Sequence, residues 1–157
     1  MALAAGEKVP DFKLQTAAAE EFTQEDLKGR TIGFVFYPFA FSPVCTDQLQ
    51  IYEPALEGFA AKGVELFAVS CDSTYAQSAF SEKLGVTIGQ LSDFEPKGAA
   101  CTAFDTLHPG GFPQRAIVIT GPDGQVLWSY QAASPGELPS LELLEDGISQ
   151  ALAARDS

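Results

Sequence analysis

Cys45 is the residue of this chain best placed to act as a nucleophile. An apolar run at residues 33–37 predicts a buried strand that ends at Pro38. Ser42 and Pro43 then have the residue types preferred at a helix N-cap and at the first helical position. Cys45 is therefore expected in the first turn of a helix, where unpaired backbone N–H groups and the helix dipole favour a thiolate over a thiol.

Arg115 is the candidate cation beside this thiolate. The helix-start effect contributes about 0.3–1 kcal/mol, whereas a tenfold shift of a thiol–thiolate equilibrium requires about 1.4 kcal/mol. A neighbouring positive charge is therefore needed. The chain has three arginines, and Arg115 stands at the start of an apolar segment that predicts a strand. The residues alone leave open whether Arg115 reaches Cys45, is a surface charge or pairs with an acid.

The remaining residues with reactive side chains give weaker signals. Cys71 ends an apolar segment and Cys101 lies among alanines, so both fit buried packing positions. His108 lies in a loop rich in proline and glycine, which is more typical of a surface residue than of the base in a Cys-His hydrolase. A metal site built from Cys101 and His108 lacks further ligands at suitable spacing. We therefore predict neither a metal nor a cofactor.

The pattern of apolar residues predicts an α/β protein around these side chains. Predicted strands lie at residues 31–37, 64–70, 115–120 and 125–130, and predicted helices at residues 43–61, 74–84, 96–104 and 138–152. The first two strands and the helix between them form a βαβ unit, which implies parallel pairing. The last two strands flank the turn at residues 121–124 and form a β-hairpin.

Composition limits the classes of protein to consider. A chain of 157 residues, 46% of them hydrophobic, fits one domain over residues 1–157. The net charge of −12 would repel nucleic acid and anionic membrane surfaces. The apolar start of the chain is too short for a signal peptide, and no run reaches membrane-spanning length. We expect a cytoplasmic protein with no nucleic-acid or membrane partner.

Pro38, Ser42 and Cys45 together match the signature Pro-x-x-x-Thr/Ser-x-x-Cys. On these residues the chain resembles the peroxiredoxins, which are thiol peroxidases with a thioredoxin-like fold. Residues 9–14, residues 91–99 and the segment that begins at Arg115 are similar to the family's N-terminal, middle and arginine-containing segments. Within the family, residues 92–99 and residues 135–137 resemble the one-cysteine alkyl hydroperoxide reductase E type.

The resemblance implies a central mixed sheet flanked by helices, with the N-terminal extension of peroxiredoxins. It implies that Cys45 is the peroxidatic nucleophile, that Ser42 and Arg115 stabilise the peroxide oxygens, and that Pro38 shields the thiolate from water. A simple N-cap for Ser42 and a strand terminator for Pro38 remain alternatives. Gln48 stands where many relatives have Glu, so an ionic contact to Arg115 would become a neutral hydrogen bond.

The implied function is the reduction of hydrogen peroxide and organic hydroperoxides, in which Cys45 becomes a sulfenic acid and an external thiol recycles it. We expect this one-cysteine cycle because neither Cys71 nor Cys101 occupies a common position of a resolving cysteine. The alternatives are an atypical two-cysteine cycle, with Cys71 or Cys101 resolving, and a peroxide sensor or holdase without significant turnover. A thioredoxin-type disulfide oxidoreductase is disfavoured, because Gln48 stands where Cys-x-x-Cys needs a cysteine.

The resemblance also implies the binding partners. The substrate is a hydroperoxide, and the reductant is a low-molecular-weight thiol or a thioredoxin-like or glutaredoxin-like protein. Relatives of this type commonly form homodimers, so a second copy of the chain is the expected protein partner.

Overall fold

The computed structural model describes residues 2–157. The strands are β1 (Lys13–Thr16), β2 (Glu21–Thr23), β3 (Thr31–Phe36), β4 (Val64–Ser70), β5 (Gly89–Ser92), β6 (Ala116–Thr120) and β7 (Val126–Gln131). The helices are α1 (Pro43–Tyr52), α2 (Leu56–Ala61), α3 (Thr74–Leu84), α4 (Ala99–Ala103) and α5 (Leu141–Arg155). The seven strands form one sheet in the order β2-β1-β5-β4-β3-β6-β7.

The sheet is mixed. Strands β3, β4 and β5 run parallel at its centre, and the other neighbouring strands pair antiparallel. The predicted βαβ unit and the predicted hairpin of β6 and β7 are both present. Because β3, β4 and β5 are parallel, their carboxyl ends lie at the same edge of the sheet, and the loops that follow these strands meet there.

Two hydrophobic clusters cover the two faces of this sheet, because side chains alternate between faces along each strand. In β3, Phe34 and Phe36 belong to the first cluster, whereas Val35 and the following Tyr37 belong to the second. The first face packs against α4 and the N-terminal segment. The second face packs against α1, α3 and α5. Cys71 and Cys101 belong to the first cluster, and Cys45 belongs to the second.

Two predicted helices are shorter than expected. The helix predicted over residues 43–61 is interrupted by a 3₁₀ turn at Glu53–Ala55, because Pro54 has no N–H to donate and its ring disfavours a continuous α-helix. The helix predicted over residues 96–104 is reduced to α4. Gly98 precedes α4 in the left-handed region, with a φ of 78°, so the helical backbone cannot begin before Ala99.

The sequence pattern did not predict three short strands. Strands β1 and β2 form a hairpin inside the N-terminal extension, and β1 pairs with β5. All three have only three or four residues, which is too short for alternation to be recognised. Over residues 2–157, no helix has both the length and the apolar character needed to cross a bilayer.

Candidate active site

Cys45 is the third residue of α1 and is fully buried. Strand β3 ends at Phe36, and the chain then turns sharply into the helix. Phe41 adopts a positive φ of 70° in this turn, a conformation that bulky residues rarely take. Ser42 is the N-cap and Pro43 the first helical residue, as predicted. The Cys45 N–H therefore lies in the first helical turn, where backbone N–H groups lack intrahelical acceptors.

Arg115 reaches Cys45 because of the register between β3 and β6. These strands pair antiparallel with Phe36 opposite Ala116, so Arg115 lies beside the point where the chain leaves β3 towards α1. The Arg115 side chain is only 2% exposed, and its Nη2 donates a hydrogen bond to Cys45 Sγ over 3.0 Å. Arg115, the candidate cation, therefore contacts the sulfur of Cys45 directly.

Three further groups hold the Arg115 guanidinium in place. Its Nη1 donates to Gln48 Oε1 over 2.6 Å, and its Nε donates to the carbonyl oxygen of Pro135 over 2.8 Å. Gln48 Nε2 donates in turn to the hydroxyl of Tyr52 over 3.3 Å. The neutral hydrogen bond expected between Gln48 and Arg115 is present, so a glutamine at this position still orients the arginine.

Tyr52 is the last residue of this hydrogen-bond network and is fully buried. Its hydroxyl donates to the carbonyl oxygen of Pro139 over 2.5 Å. Burial raises the pKa of Tyr52 to about 12, although the hydrogen bond from Gln48 and the charge of Arg115 both oppose the shift. Tyr52 therefore remains a neutral phenol across the physiological pH range.

Pro38, Ser42 and Arg115 line one surface pocket of about 240 Å³, together with the aromatic rings of Phe39 and Phe112. Cys45 does not line this pocket, and its contact with Arg115 links the sulfur to the pocket wall. The Ser42 hydroxyl makes no capping hydrogen bond to the helix and instead donates to the carbonyl oxygen of Phe39 over 3.0 Å. Capping therefore does not occupy this hydroxyl.

The structure places Cys71 and Cys101 on the opposite face of the sheet from Cys45. Cys45 belongs to the hydrophobic cluster on the second face of the sheet, whereas Cys71 and Cys101 belong to the cluster on the first face. All three cysteines are free and buried. The burial predicted for Cys71 and Cys101 is confirmed.

His108 lies in the loop between α4 and β6 and is partly exposed. Its Nδ1 accepts a hydrogen bond from the N–H of Gly110, and its ring stacks on Phe112 with centroids 4.3 Å apart. Within the described residues, the three-residue cluster that could ligate a metal consists of Cys71, Asp93 and Cys101 and does not include His108.

The sequence did not predict three of these residues: Tyr52, which bonds to Gln48; Pro135, whose carbonyl accepts from Arg115; and Asp93, which lies beside Cys71 and Cys101. Tyr52 could have been found, because residues 45, 48 and 52 recur at helical spacing and so share one face of α1. Pro135 acts through its backbone carbonyl, which no side-chain pattern reveals. Asp93 gave no signal beyond its place in the segment at residues 91–99.

The fold and the site define a thioredoxin-like protein with a buried cysteine at a helix start, facing a buried arginine. Comparisons with known proteins agree. The sequence pattern of the AhpC/TSA family matches residues 5–129. The chain is 32% identical over 129 residues to alkyl hydroperoxide reductase C of Bacillus subtilis, which covers 77% of this chain and 68% of that protein. The corresponding Staphylococcus aureus protein is 34% identical over 112 residues, which is 68% of this chain and 58% of that protein.

The solved structure of Enterococcus faecalis AhpC superposes on the chain with a TM-score of 0.85, at 26% sequence identity. This superposition covers 100% of the chain and 98% of the Enterococcus protein. The chain therefore belongs to the AhpC/TSA family and is a peroxiredoxin. The thioredoxin-like fold expected from the resemblance is confirmed.

Proposed function

We propose that this peroxiredoxin reduces hydrogen peroxide and organic hydroperoxides through the thiolate of Cys45. The 3.0 Å contact between Arg115 Nη2 and Cys45 Sγ supports this proposal most directly. A buried guanidinium is costly unless its charge is balanced. None of the salt bridges within residues 2–157 involves Arg115. Besides Cys45, its acceptors are the neutral oxygens of Gln48 and Pro135. A Cys45 thiolate supplies the balancing negative charge.

In the chemical step, Cys45 Sγ attacks one peroxide oxygen. The S–O bond forms, the O–O bond breaks, and the electron pair leaves with the second oxygen, which takes up a proton to give water or an alcohol. A free cysteine is already a few per cent ionised at neutral pH, so complete ionisation gains only some tens-fold in rate. Donors aimed at the developing charge must supply the larger part. Arg115, the Cys45 N–H and the Ser42 hydroxyl serve as these donors.

The Ser42 hydroxyl must turn for this purpose, since it donates to the carbonyl oxygen of Phe39 in the resting structure. Rotation about a single side-chain torsion is sufficient. Pro38 lines the same pocket and limits the access of water to the sulfur.

A one-cysteine cycle completes the function. The sulfenic acid on Cys45 condenses with an external thiol, which gives a mixed disulfide and water, and a second thiol then releases Cys45. The placement of Cys71 and Cys101 on the opposite face of the sheet supports this cycle, because a disulfide requires Cα atoms within about 7 Å. The reductant is a low-molecular-weight thiol or a thioredoxin-like or glutaredoxin-like protein, and the cycle is that of the alkyl hydroperoxide reductase E type.

Peroxide turnover tests the proposal. Cys45→Ser should abolish turnover with added thiols, because a serine hydroxyl is hardly ionised at neutral pH. Cys71→Ser and Cys101→Ser should leave the rapid oxidation of Cys45 unchanged. Oxidation of Cys45→Ser at the wild-type rate, measured by stopped flow, would exclude Cys45 as the nucleophile. Rapid oxidation of the wild type without turnover with any reductant would instead favour a peroxide sensor or holdase.

The state of Cys45 after one equivalent of peroxide tests the cycle. A one-cysteine cycle predicts a gain of one oxygen in the intact mass and a dimedone adduct on Cys45. An atypical two-cysteine cycle predicts a disulfide from Cys45 to Cys71 or Cys101, which peptide mapping would detect.

We further propose that the protein is a cytoplasmic homodimer. The aromatic rings of Phe39 and Phe41 are both exposed near the site, and such apolar surface is typical of a protein–protein interface. Sedimentation analysis tests this assembly, with a Phe39→Ser and Phe41→Ser double variant expected to shift the protein towards the monomer. A monomeric wild type would contradict it.

A further inference from the structure

A second group of reactive side chains lies on the opposite face of the sheet from Cys45. The sulfurs of Cys71 and Cys101 and a carboxylate oxygen of Asp93 all lie within 4.8 Å of one another, and all three residues are buried. Cys71 directly follows β4, Asp93 directly follows β5, and Cys101 lies in α4. The peroxide reaction proposed above uses none of them.

Backbone contacts bring these residues together. Strands β4 and β5 pair parallel with Ser70 opposite Ser92, so Cys71 and Asp93 follow side by side. The Asp93 N–H donates to the Ser70 carbonyl oxygen over 2.8 Å. The Asp93 carboxylate accepts the N–H groups of Ala100 and Cys101 over 2.9 and 2.8 Å. Asp93 thereby holds the start of α4 against the end of β4, with Cys101 beside Cys71.

The two thiols have different surroundings. A hydrogen bond from the Cys101 thiol lowers the pKa of Cys71, and the nearby ammonium group of Lys97 acts in the same direction. The same hydrogen bond raises the pKa of Cys101, and burial adds to this effect. Burial and the carboxylates of Asp93 and Asp72 oppose the shift at Cys71, so access to solvent, not ionisation, sets the order in which the two thiols react.

Cys71 is also the more accessible thiol. It lines a cavity of about 240 Å³, together with Phe94, Lys97 and Phe112. Cys101 does not line this cavity and is fully buried. A small oxidant in the cavity would therefore meet Cys71 first.

We propose that Cys71 and Cys101 form a second redox centre, in which a hydroperoxide converts the two thiols to a disulfide independently of Cys45. Cys71 sulfur attacks a peroxide oxygen, so that an S–O bond forms and the O–O bond breaks, and the leaving oxygen takes the Cys71 thiol proton and departs as an alcohol or water. Cys101 sulfur then attacks the sulfur of Cys71. The S–S bond forms, the S–O bond breaks, and the hydroxide takes the Cys101 proton and leaves as water. Two thiols lose two electrons, and one hydroperoxide gains them.

The Cys45→Ser variant tests this proposal without the peroxidatic cysteine, so its outcome does not depend on the proposed function. The purified variant is treated with excess hydrogen peroxide, and its intact mass and thiol content are followed over time. We expect the loss of two hydrogens and of both thiols, and a cross-linked peptide pair containing Cys71 and Cys101. Dithiothreitol should restore both thiols.

Two matched variants assign the order of the steps. Cys45→Ser with Cys101→Ser should gain one oxygen on Cys71 and form a dimedone adduct there. Cys45→Ser with Cys71→Ser should react at least ten times more slowly than Cys45→Ser, since Cys101 is fully buried and does not line the cavity. Equal reaction of both double variants would overturn the assignment of Cys71 as the attacking thiol.

Other results in Cys45→Ser would overturn the proposal. Two thiols that survive the treatment, or oxygen added to Cys71 without a cross-link, would show that the pair does not close. The same three side chains are also suitable zinc ligands. Stoichiometric zinc in the purified protein, together with thiols that resist peroxide until the zinc is removed, would identify a metal site instead of a redox centre.

Discussion

Arg115 carries a buried charge whose acceptors divide into two kinds. Gln48 and Pro135 offer neutral oxygens that fix its orientation, whereas Cys45 offers a sulfur that can be negative. In the proposed mechanism the guanidinium has two effects on the peroxide reaction. It stabilises the thiolate before the reaction, and it stabilises the oxygen charge that develops while the O–O bond breaks.

Arg115→Met should slow the oxidation of Cys45 by roughly 10²–10³-fold, the usual cost of removing a donor to a developing negative charge. This loss should exceed the change in the thiolate fraction measured in the same variant. Stopped-flow rates with hydrogen peroxide provide the test. Arg30→Met is the matched control, since Arg30 pairs with Glu65 at the surface. A rate loss fully explained by the thiolate fraction would contradict the second effect of Arg115.

Gln48→Leu should slow the oxidation of Cys45, because the 2.6 Å hydrogen bond that orients Arg115 is lost. It should also lower the free energy of unfolding by about 1–3 kcal/mol, since a buried donor of Arg115 is left unpaired. Gln48→Glu keeps an acceptor for Arg115 and should retain most of the rate. Equal rates in wild type and Gln48→Leu would show that Pro135 alone orients the arginine.

At the scale of elements, α5 packs unusually closely on β7. A Cβ atom on Gly147 would lie 2.5 to 2.7 Å from three ring atoms of Trp128, closer than real contacts allow. The glycine therefore permits the approach of helix and sheet, although glycine inside a helix costs about 1 kcal/mol relative to alanine.

Gly147→Ala should destabilise the protein by roughly 1–3 kcal/mol, because the clash with Trp128 outweighs the gain in helix propensity. Urea unfolding provides the measurement. Gly58→Ala in α2 is the matched control, since nothing lies within 4 Å of a Cβ at that position. The control should stabilise the protein by about 0.5–1 kcal/mol. Stabilisation by both substitutions would contradict the close packing of α5 on β7.

At the scale of the whole molecule, the sheet separates two groups of cysteines. Cys45 and its arginine lie on one face, and the Cys71, Asp93 and Cys101 cluster lies on the other.

Buried tyrosines make the free energy of unfolding depend on pH. Burial raises the pKa of Tyr37 and raises the pKa of Tyr52 to about 12, so folding protects the neutral phenols.

The contribution of Tyr52 to stability should disappear at high pH. Its pKa is higher in the folded than in the unfolded protein, so this contribution is complete below about pH 10 and is lost as the pH rises towards 12. The loss amounts to roughly 2–3 kcal/mol. Tyr52→Phe should be less stable than the wild type at neutral pH but decline less steeply between pH 10 and 12.

Urea unfolding at each pH measures this difference. The exposed Tyr75 supplies the control, and Tyr75→Phe should follow the wild-type curve. Parallel curves for wild type and Tyr52→Phe would contradict the raised pKa.

The order of neighbouring residues was sufficient to predict several strands and helices and the position of Cys45 at a helix start. The run of strand, Pro38, Ser42, Pro43 and Cys45 predicted a cysteine at a helix start, because capping and proline preferences act over a few residues. The boundaries of β4 and α3 also agree with the prediction. These features depend on neighbours in sequence, so the sequence alone was sufficient for them.

Tertiary structure decided which side chains meet. Arg115 contacts Cys45 across 70 positions of sequence, and this contact depends on the register between β3 and β6. The pattern predicted burial for Cys71 and Cys101 but not which face of the sheet they occupy. Cys45 lies in α1 and Cys101 in α4, so their faces depend on the side of the sheet against which each helix packs, which the chain connections decide. The separation of Cys45 from the Cys71 and Cys101 pair therefore came from the folded sheet alone.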